Sequence, residues 1–439
     1  MENNKRNQRA WYFYDFAASA FTTVVITVFL GPYLTSVAKA AAVDGYLNLF
    51  GLQLFADSFY TYCISISVIL QVLILPAIGA IIDETGLKKQ FLGVLAFLGA
   101  ISTMLLFFLN GTNYLLGGIA VIFANVFYGA SFVVYNSMLN DVAEENDRDR
   151  VSSNGLAMGY IGGGLLLAIN LALVSFHEAL NIDLAMAVRI SLFSAGFWWL
   201  IFSFIPFLIL KNPEIVGKLG LKKAVKSSFS QLSKTIKDTK KYPHTLHFLI
   251  AYLIFNDGVQ AVIVVSAQFG QEALKLDIST LTTVILMVQF VAFFGAYLFN
   301  FIAEKINSKN ALILSLVIWS GVTIYAYSFL DSLIGFYAMA FVVGLVLGGT
   351  QALSRSLFSL MLPIGKSAEY FSLYEISERG TSWLGPLLFG LSLQFTGSYQ
   401  FAILSLIVFF VLGLALLLKF NVKSAIIESG NKLPLIYSK

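Results

Sequence analysis

At 439 residues the chain is long enough for two or three soluble domains, yet 58% of it is hydrophobic and only 12% charged. Soluble chains carry roughly 25% charged residues, so this one has about half the charge that a hydrated surface needs. Its apolar residues also fall in long unbroken runs, which place it in a membrane. The single cysteine, Cys63, excludes an intramolecular disulfide and a cysteine-based metal site. His177, His244 and His247 scatter at expected helix ends, where interfacial roles suffice. The net charge of +4 says less than the placement of the positive residues.

The N-terminus mimics a signal peptide, with Lys5, Arg6 and Arg9 before an apolar stretch and Ala38, Lys39 and Ala40 after it. The stretch runs from 10 to 38 and carries an acid, Asp15. A signal h-region has roughly 7–15 residues, so the expectation is a retained first helix. Further runs of spanning length follow at 57–83, 91–110, 113–139, 154–176 and 188–210. A second set lies at 246–271, 280–302, 310–330, 333–361, 369–393 and 398–419. Each is near or above the ~20 residues that cross a hydrocarbon core. We number these spans 1 to 12. The expected domains are a six-helix bundle over 1–210, a linker over 211–245, and a second bundle with a short tail over 246–439.

With the N-terminus inside, the inward segments carry 23 of the 28 Lys and Arg residues. The outward loops carry Lys39, Arg189 and Lys275, while Arg355 and Arg379 lie within spans. That bias places both termini on the cytoplasmic side. In the linker, Leu221, Val225, Phe229, Leu232 and Ile236 recur at helical spacing among Lys222, Lys223, Lys226, Lys234 and Lys237. The pattern suits an amphipathic helix on the anionic inner leaflet, or one that docks a partner.

The loop after span 2 reads Gly79, Asp83, Gly86, Lys88, Lys89; the loop after span 8 reads Asn300, Glu304, Asn307, Lys309. Small or polar residue, acid, turn former and lysine recur at identical spacing. Spans 1 and 7 each carry an acid behind a polar neighbour, Tyr14-Asp15 and Asn256-Asp257. Two six-helix halves with matching features are the parallel repeat of major facilitator transporters. The Gly79 to Lys89 pattern resembles that superfamily's signature. Gly86 permits a tight turn, Asp83 can accept hydrogen bonds from the amides of a neighbouring helix N-terminus, and Lys88 and Lys89 are expected to anchor to lipid phosphates.

A narrower resemblance rests on five blocks in order: Trp11 to Phe21, Asn154 to Gly162, Asp257 to Gln260, Gln351 to Ser356, and Tyr374 to Gly380. These are similar to the vacuolar amino-acid effluxer-like family and its bacterial relatives. The resemblance implies an all-α, twelve-helix major facilitator fold with two six-helix pseudo-repeats and, in the eukaryotic branch, amino-acid release from vacuoles. It leaves open the substrate of this short-tailed, bacterial-looking member. Span 5 lacks the Gly-Pro pair of the superfamily's antiporters, which counts against proton antiport.

In this fold spans 1, 4, 7 and 10 line the cavity. Span 4 offers Asn125, Tyr128, Tyr135 and Asn136; span 7 offers Asp257, Gln260 and Gln268; span 10 offers Gly348, Gln351 and Arg355. Each set recurs at three- or four-residue steps, on one helical face. Asp257 and Arg355 are the sharpest pair, because a mid-membrane charge costs about 3 kcal/mol and needs a partner or a role. Three readings are open: a clamp for a zwitterion, a proton-coupled salt bridge, or a static ion pair. Glu375, Glu378 and Arg379 sit early in span 11, where Glu375 and Arg379 are spaced to pair. Asp15 lies five residues into span 1, near enough to the interface for partial hydration. Gly155, Gly159 and Gly163 form a small-residue packing face on span 5.

No phosphate loop, metal cluster or nucleophile–base spacing points to catalysis or a cofactor, and the lysines follow topology, which excludes nucleic acid. The expected function is secondary transport of a small solute in a bacterial inner membrane by a monomer, with amino acids first by resemblance and protons as coupling ion. Drug or metabolite efflux is the runner-up, and a non-transporting sensor or scaffold the alternative class.

Overall fold

The computed structural model describes residues 2–49, 51–212, 239–276, 278–379 and 384–438. The amphipathic linker segment expected at 221–236 lies outside them, as do the side chains of Gln268 and Arg379. Eleven helices among the described residues are long and apolar enough to cross a membrane. They are Lys5–Ala41, Ala56–Thr85, Lys88–Phe108, Tyr114–Val142, Arg148–Ser175, Leu184–Ile209, Pro243–Ser266, Thr280–Ile306, Ser308–Ser328, Leu333–Leu360 and Tyr399–Lys419. These are spans 1 to 10 and span 12. Span 11, expected at 369–393, is helical over Ser367–Arg379 and over Leu384–Thr396, and residues 380–383 between them lie outside the described residues.

Several starts are written into the sequence as side-chain caps. Asp183 accepts from the Met186 amide at 2.6 Å, Ser332 from Gly335 at 3.2 Å and Ser398 from Phe401 at 3.4 Å. Each satisfies a helix N–H that would otherwise be orphaned. The apolar exterior is that of a lipid-solvated protein: Ile69, Val94, Leu208 and Phe294 are all more than half exposed.

Two features depart from uniform helices. Span 1 passes through a π-helical stretch, Phe21–Phe29, between two α-helical segments. Before span 2 the chain forms a β-hairpin, with β1 (Tyr46–Leu49) antiparallel to β2 (Leu52–Phe55) and Tyr46 opposite Phe55. The hairpin's base is held by Lys39 and Asp57, 2.5 Å apart.

The chain forms two compact units. The first comprises 1–75, 86–135 and 158–214; the second comprises 76–85, 136–157 and 215–439. In the first unit, span 5 lies so close to span 1 that a Cβ at Gly162 would collide with the Phe16 carbonyl, and one at Gly159 would lie 2.7 Å from Ser19 Oγ. Small residues permit this approach. The stripe that meets span 1 is therefore Gly159, Gly162 and Gly163.

Candidate functional site

The repeated hairpin motif is built first by its backbone. Gly86 has φ 68° and Asn307, at the matching position, φ 69°. This left-handed φ favours Gly and Asn, and it recurs at the matching position of both turns. Asn307 then caps span 9 by accepting from the Asn310 amide at 3.0 Å.

Asp83, in the second unit, accepts from the Ala368 amide at 3.0 Å and from Glu369 at 2.8 Å. Its carboxylate therefore sits on the N-terminus of the helix Ser367–Arg379, where the dipole and the free amides favour an anion. Gly79 lets the two backbones meet, since a Cβ there would lie 2.6 Å from the Ala368 carbonyl oxygen. Lys88 departs from expectation. Lys88 is buried at 4% exposure, so it does not reach lipid phosphate. Lys89 lies 5.3 Å from the Phe207 ring, and Lys309 donates to the Leu418 and Phe420 carbonyls at 3.2 and 2.7 Å. Lys309 thus caps the C-terminus of span 12, where cations are favoured. The second acid also departs from its twin: Glu304 is exposed and accepts from Asn300 of its own helix at 3.0 Å.

A buried polar network occupies the second unit. Arg355 donates from Nε to Ser152 Oγ at 2.9 Å, from one terminal nitrogen to the Ser152 carbonyl at 2.7 Å, and from the other to Asn136 Oδ1 at 3.4 Å. Asn136 in turn donates to Glu375 Oε1 at 2.6 Å. One amide thereby couples a buried cation to a buried anion, which limits the cost of holding both away from water. Nearby, Arg148 donates to the Ser359 carbonyl at 2.7 Å, and Asp149 accepts from the hydroxyls of Ser308, at 2.6 Å, and Ser356. The tail joins the same region. Asn431 donates to the Leu360 and Leu362 carbonyls, and the Leu435 amide donates to Asn146.

Asp257 stands apart from this network. It is 1% exposed, and neither carboxylate oxygen has a side-chain partner among the described residues; the Gly385 backbone N–H interacts with it. The expected pairing with Arg355 is not made, because Ser152 and Asn136 engage the guanidinium. A carboxylate so placed costs about 2.5–3.5 kcal/mol on insertion scales. Behind it, Asn256 donates to the Glu378 carbonyl at 3.2 Å, and Tyr252 stacks on Tyr374 with ring centroids 4.2 Å apart. Gln260 and Gln351 are half-buried.

The first unit holds the other acid. Asp15 is 2% exposed, not at a hydrated interface, and accepts from Tyr135 Oη at 2.8 Å. Trp11 stacks on Tyr135 at 4.2 Å and donates to its carbonyl at 2.9 Å. Asn125 donates to Ser67 Oγ at 2.7 Å, while Tyr128 packs among Phe21, Phe132 and Trp199. Successive residues of span 4, Tyr135 and Asn136, thus each hold a buried carboxylate, one in each unit.

Ser152, Asp149 and Asn431 escape a search for polar stripes on spans 4, 7 and 10. The Arg148-Asp149-Arg150 charge run at the start of span 5 is the signal that marks this region. Among the described residues, no three of His, Cys, Asp and Glu gather as they would around a metal ion.

The profile of the family described as "Vacuole effluxer Atg22 like" matches residues 3–430. An MFS-type transporter of Bacillus subtilis (strain 168), YxiO, is 30% identical over 95% of both chains. Autophagy-related protein 22 of Kluyveromyces lactis is 27% identical over 93% of this chain and 92% of its own. Among solved structures, the fucose:proton symporter FucP of E. coli matches with TM-score 0.71 at 12% identity, covering 96% of this chain and 99% of that one. The proton:xylose symporter XylE matches with TM-score 0.70 at 13% identity, over 95% and 96%. The fold is thus that of the major facilitator superfamily, with two six-helix pseudo-repeats, and the family match runs nearly end to end. The chain belongs to the Atg22-like vacuole effluxer family and is a multi-pass membrane transporter of the major facilitator type, not an enzyme.

Proposed function

We propose that this transporter moves small zwitterionic solutes, amino acids first among them, by alternating access coupled to protons. It works as a monomer in a bacterial inner membrane with both termini cytoplasmic. The carrying observation is Asp257, a carboxylate buried in a membrane span with no side-chain partner among the described residues. A static structural acid would be hydrogen-bonded or replaced, because an unsatisfied buried charge is costly. An acid left open suits a transient partner, either the ammonium group of a zwitterion or a proton. The effluxer description of the family favours export, and the Bacillus relative favours a bacterial plasma membrane.

Alternating access also needs a contact that can break. Asp83 on the Ser367–Arg379 helix, with Arg355 on Ser152, forms a charged latch of that kind within the second unit. Purified protein in liposomes loaded with labelled amino acids tests the reading. Amino acids should leave faster than from protein-free vesicles, and faster still when a proton gradient is imposed. If no amino acid moves while a lipophilic cation does, the chain is a drug exporter and the proposal fails.

A further inference from the structure

Two grooves lie at corresponding places of the two repeats. The first, of about 770 Å³, is lined by Lys5, Arg6, Arg9, Ala10 and Phe13 of span 1 and by Ile205 and Ile209 of span 6. The second, of about 420 Å³, is lined by Lys240, Pro243, Leu246, His247 and Ile250 at the start of span 7 and by Leu416 near the end of span 12. The start of a half's first span and the end of its sixth thus form a groove twice, each time with basic residues over an apolar floor.

In the first groove Lys5, Arg9 and Phe13 are four residues apart and share one helical face. Ile205 and Ile209 do the same on span 6. Lys5, Arg6 and Arg9 are exposed, and no acid among the described side chains pairs with them. Like charges one turn apart repel, so the cluster favours an external anion. Basic side chains at the end of a span lie at headgroup depth, and basic pockets between spans suit anionic headgroups.

We propose that the groove between spans 1 and 6 binds one anionic phospholipid. Its phosphate lies against Lys5, Arg6 and Arg9, and an acyl chain lies along Phe13, Ile205 and Ile209. The groove between spans 7 and 12, whose lining holds one lysine and His247, is the weaker counterpart.

Native mass spectrometry of the full chain in detergent, with added phosphatidylglycerol or phosphatidylcholine of matched chains, tests this. Wild-type protein should retain one phosphatidylglycerol strongly. The Lys5→Gln/Arg6→Gln/Arg9→Gln variant should bind it about a hundredfold more weakly, at about 1 kcal/mol per basic residue and 1.4 kcal/mol per tenfold. Arg9→Gln alone, needed if the triple variant does not fold, should lose about fivefold. Lys240→Gln should leave the strong site intact. Ile209→Trp, which fills the floor and keeps the cations, should also lose the lipid. Equal retention of phosphatidylcholine, or unchanged affinity in the basic variants, would overturn the proposal. Displacement by millimolar inorganic phosphate with no effect of Ile209→Trp would show a phosphate site instead, and would overturn it as well.

Discussion

Replacing Asp83 with Asn preserves size and one acceptor oxygen but removes the charge that receives the Ala368 and Glu369 amides at 3.0 and 2.8 Å. A hydrogen bond to a charged group contributes about 1.5–3 kcal/mol, against about 0.5–1.5 for a neutral one. The Asn amide nitrogen cannot accept, so one helix N–H is orphaned while the other keeps a weaker bond. The helix-dipole contribution, about 0.3–1 kcal/mol, goes with the charge. Together these weaken the contact by about 2 kcal/mol, a roughly 30-fold shift in the population with the Ser367–Arg379 helix detached. Hydrogen exchange at Ala368 and Glu369 should accelerate by about that factor. Transport should fall with little change in substrate affinity, because the residue acts on conformation. Gly79→Ala should act in the same direction, since its Cβ would sit 2.6 Å from the Ala368 oxygen. If Asp83→Asn leaves both exchange and turnover at wild-type values, the contact is not a latch.

Asn136→Leu removes the amide between Arg355 and Glu375 and should cost about 3–5 kcal/mol by analogy with broken buried pairs; a melting experiment reads it. Gly162→Val forces a side chain onto the Phe16 carbonyl and should cost at least the 1–3 kcal/mol of overpacking, again seen as a lowered Tm. No direct bond joins Asp257 and Arg355 among the described residues, so the effects of Asp257→Asn and Arg355→Gln on stability should add within about 0.5 kcal/mol. A larger coupling energy would mean that the two groups meet.

Much of this architecture was legible because membrane physics leaves few options. Twenty-residue apolar runs must be helices, and the recurring Gly86 and Asn307 mark two turns whose φ values differ by a degree. Asp83 was readable as an anion for a helix N-terminus, though not which helix, since residues 83 and 368 are far apart in sequence. The partners of Arg355 were not readable for the same reason. Ser152 and Asn136 are ordinary polar residues until folding brings them to the guanidinium, and the rule that charges need partners pointed to Asp257 instead. Glu304 shows the limit of repeat logic: the spacing matches that of Asp83, but the acid bonds within its own helix to Asn300. The β-hairpin had its signals in the alternation of Tyr46 to Phe55 around Gly51, which a search for spans passes over.

The most direct measurement pairs stability with transport in Asp257→Asn. Removing a charge that has no side-chain partner among the described residues of a membrane span should relieve about 2.5–3.5 kcal/mol of cost, so the variant should melt no lower than wild type. In the same preparation, amino-acid efflux from liposomes and the accompanying change of a lumenal pH dye should both be lost. Stability kept and transport lost is the expected result, the pattern of a residue retained for function against its structural cost. A variant that melts well below wild type, yet moves substrate and protons at the wild-type rate, would contradict it and make Asp257 a structural acid.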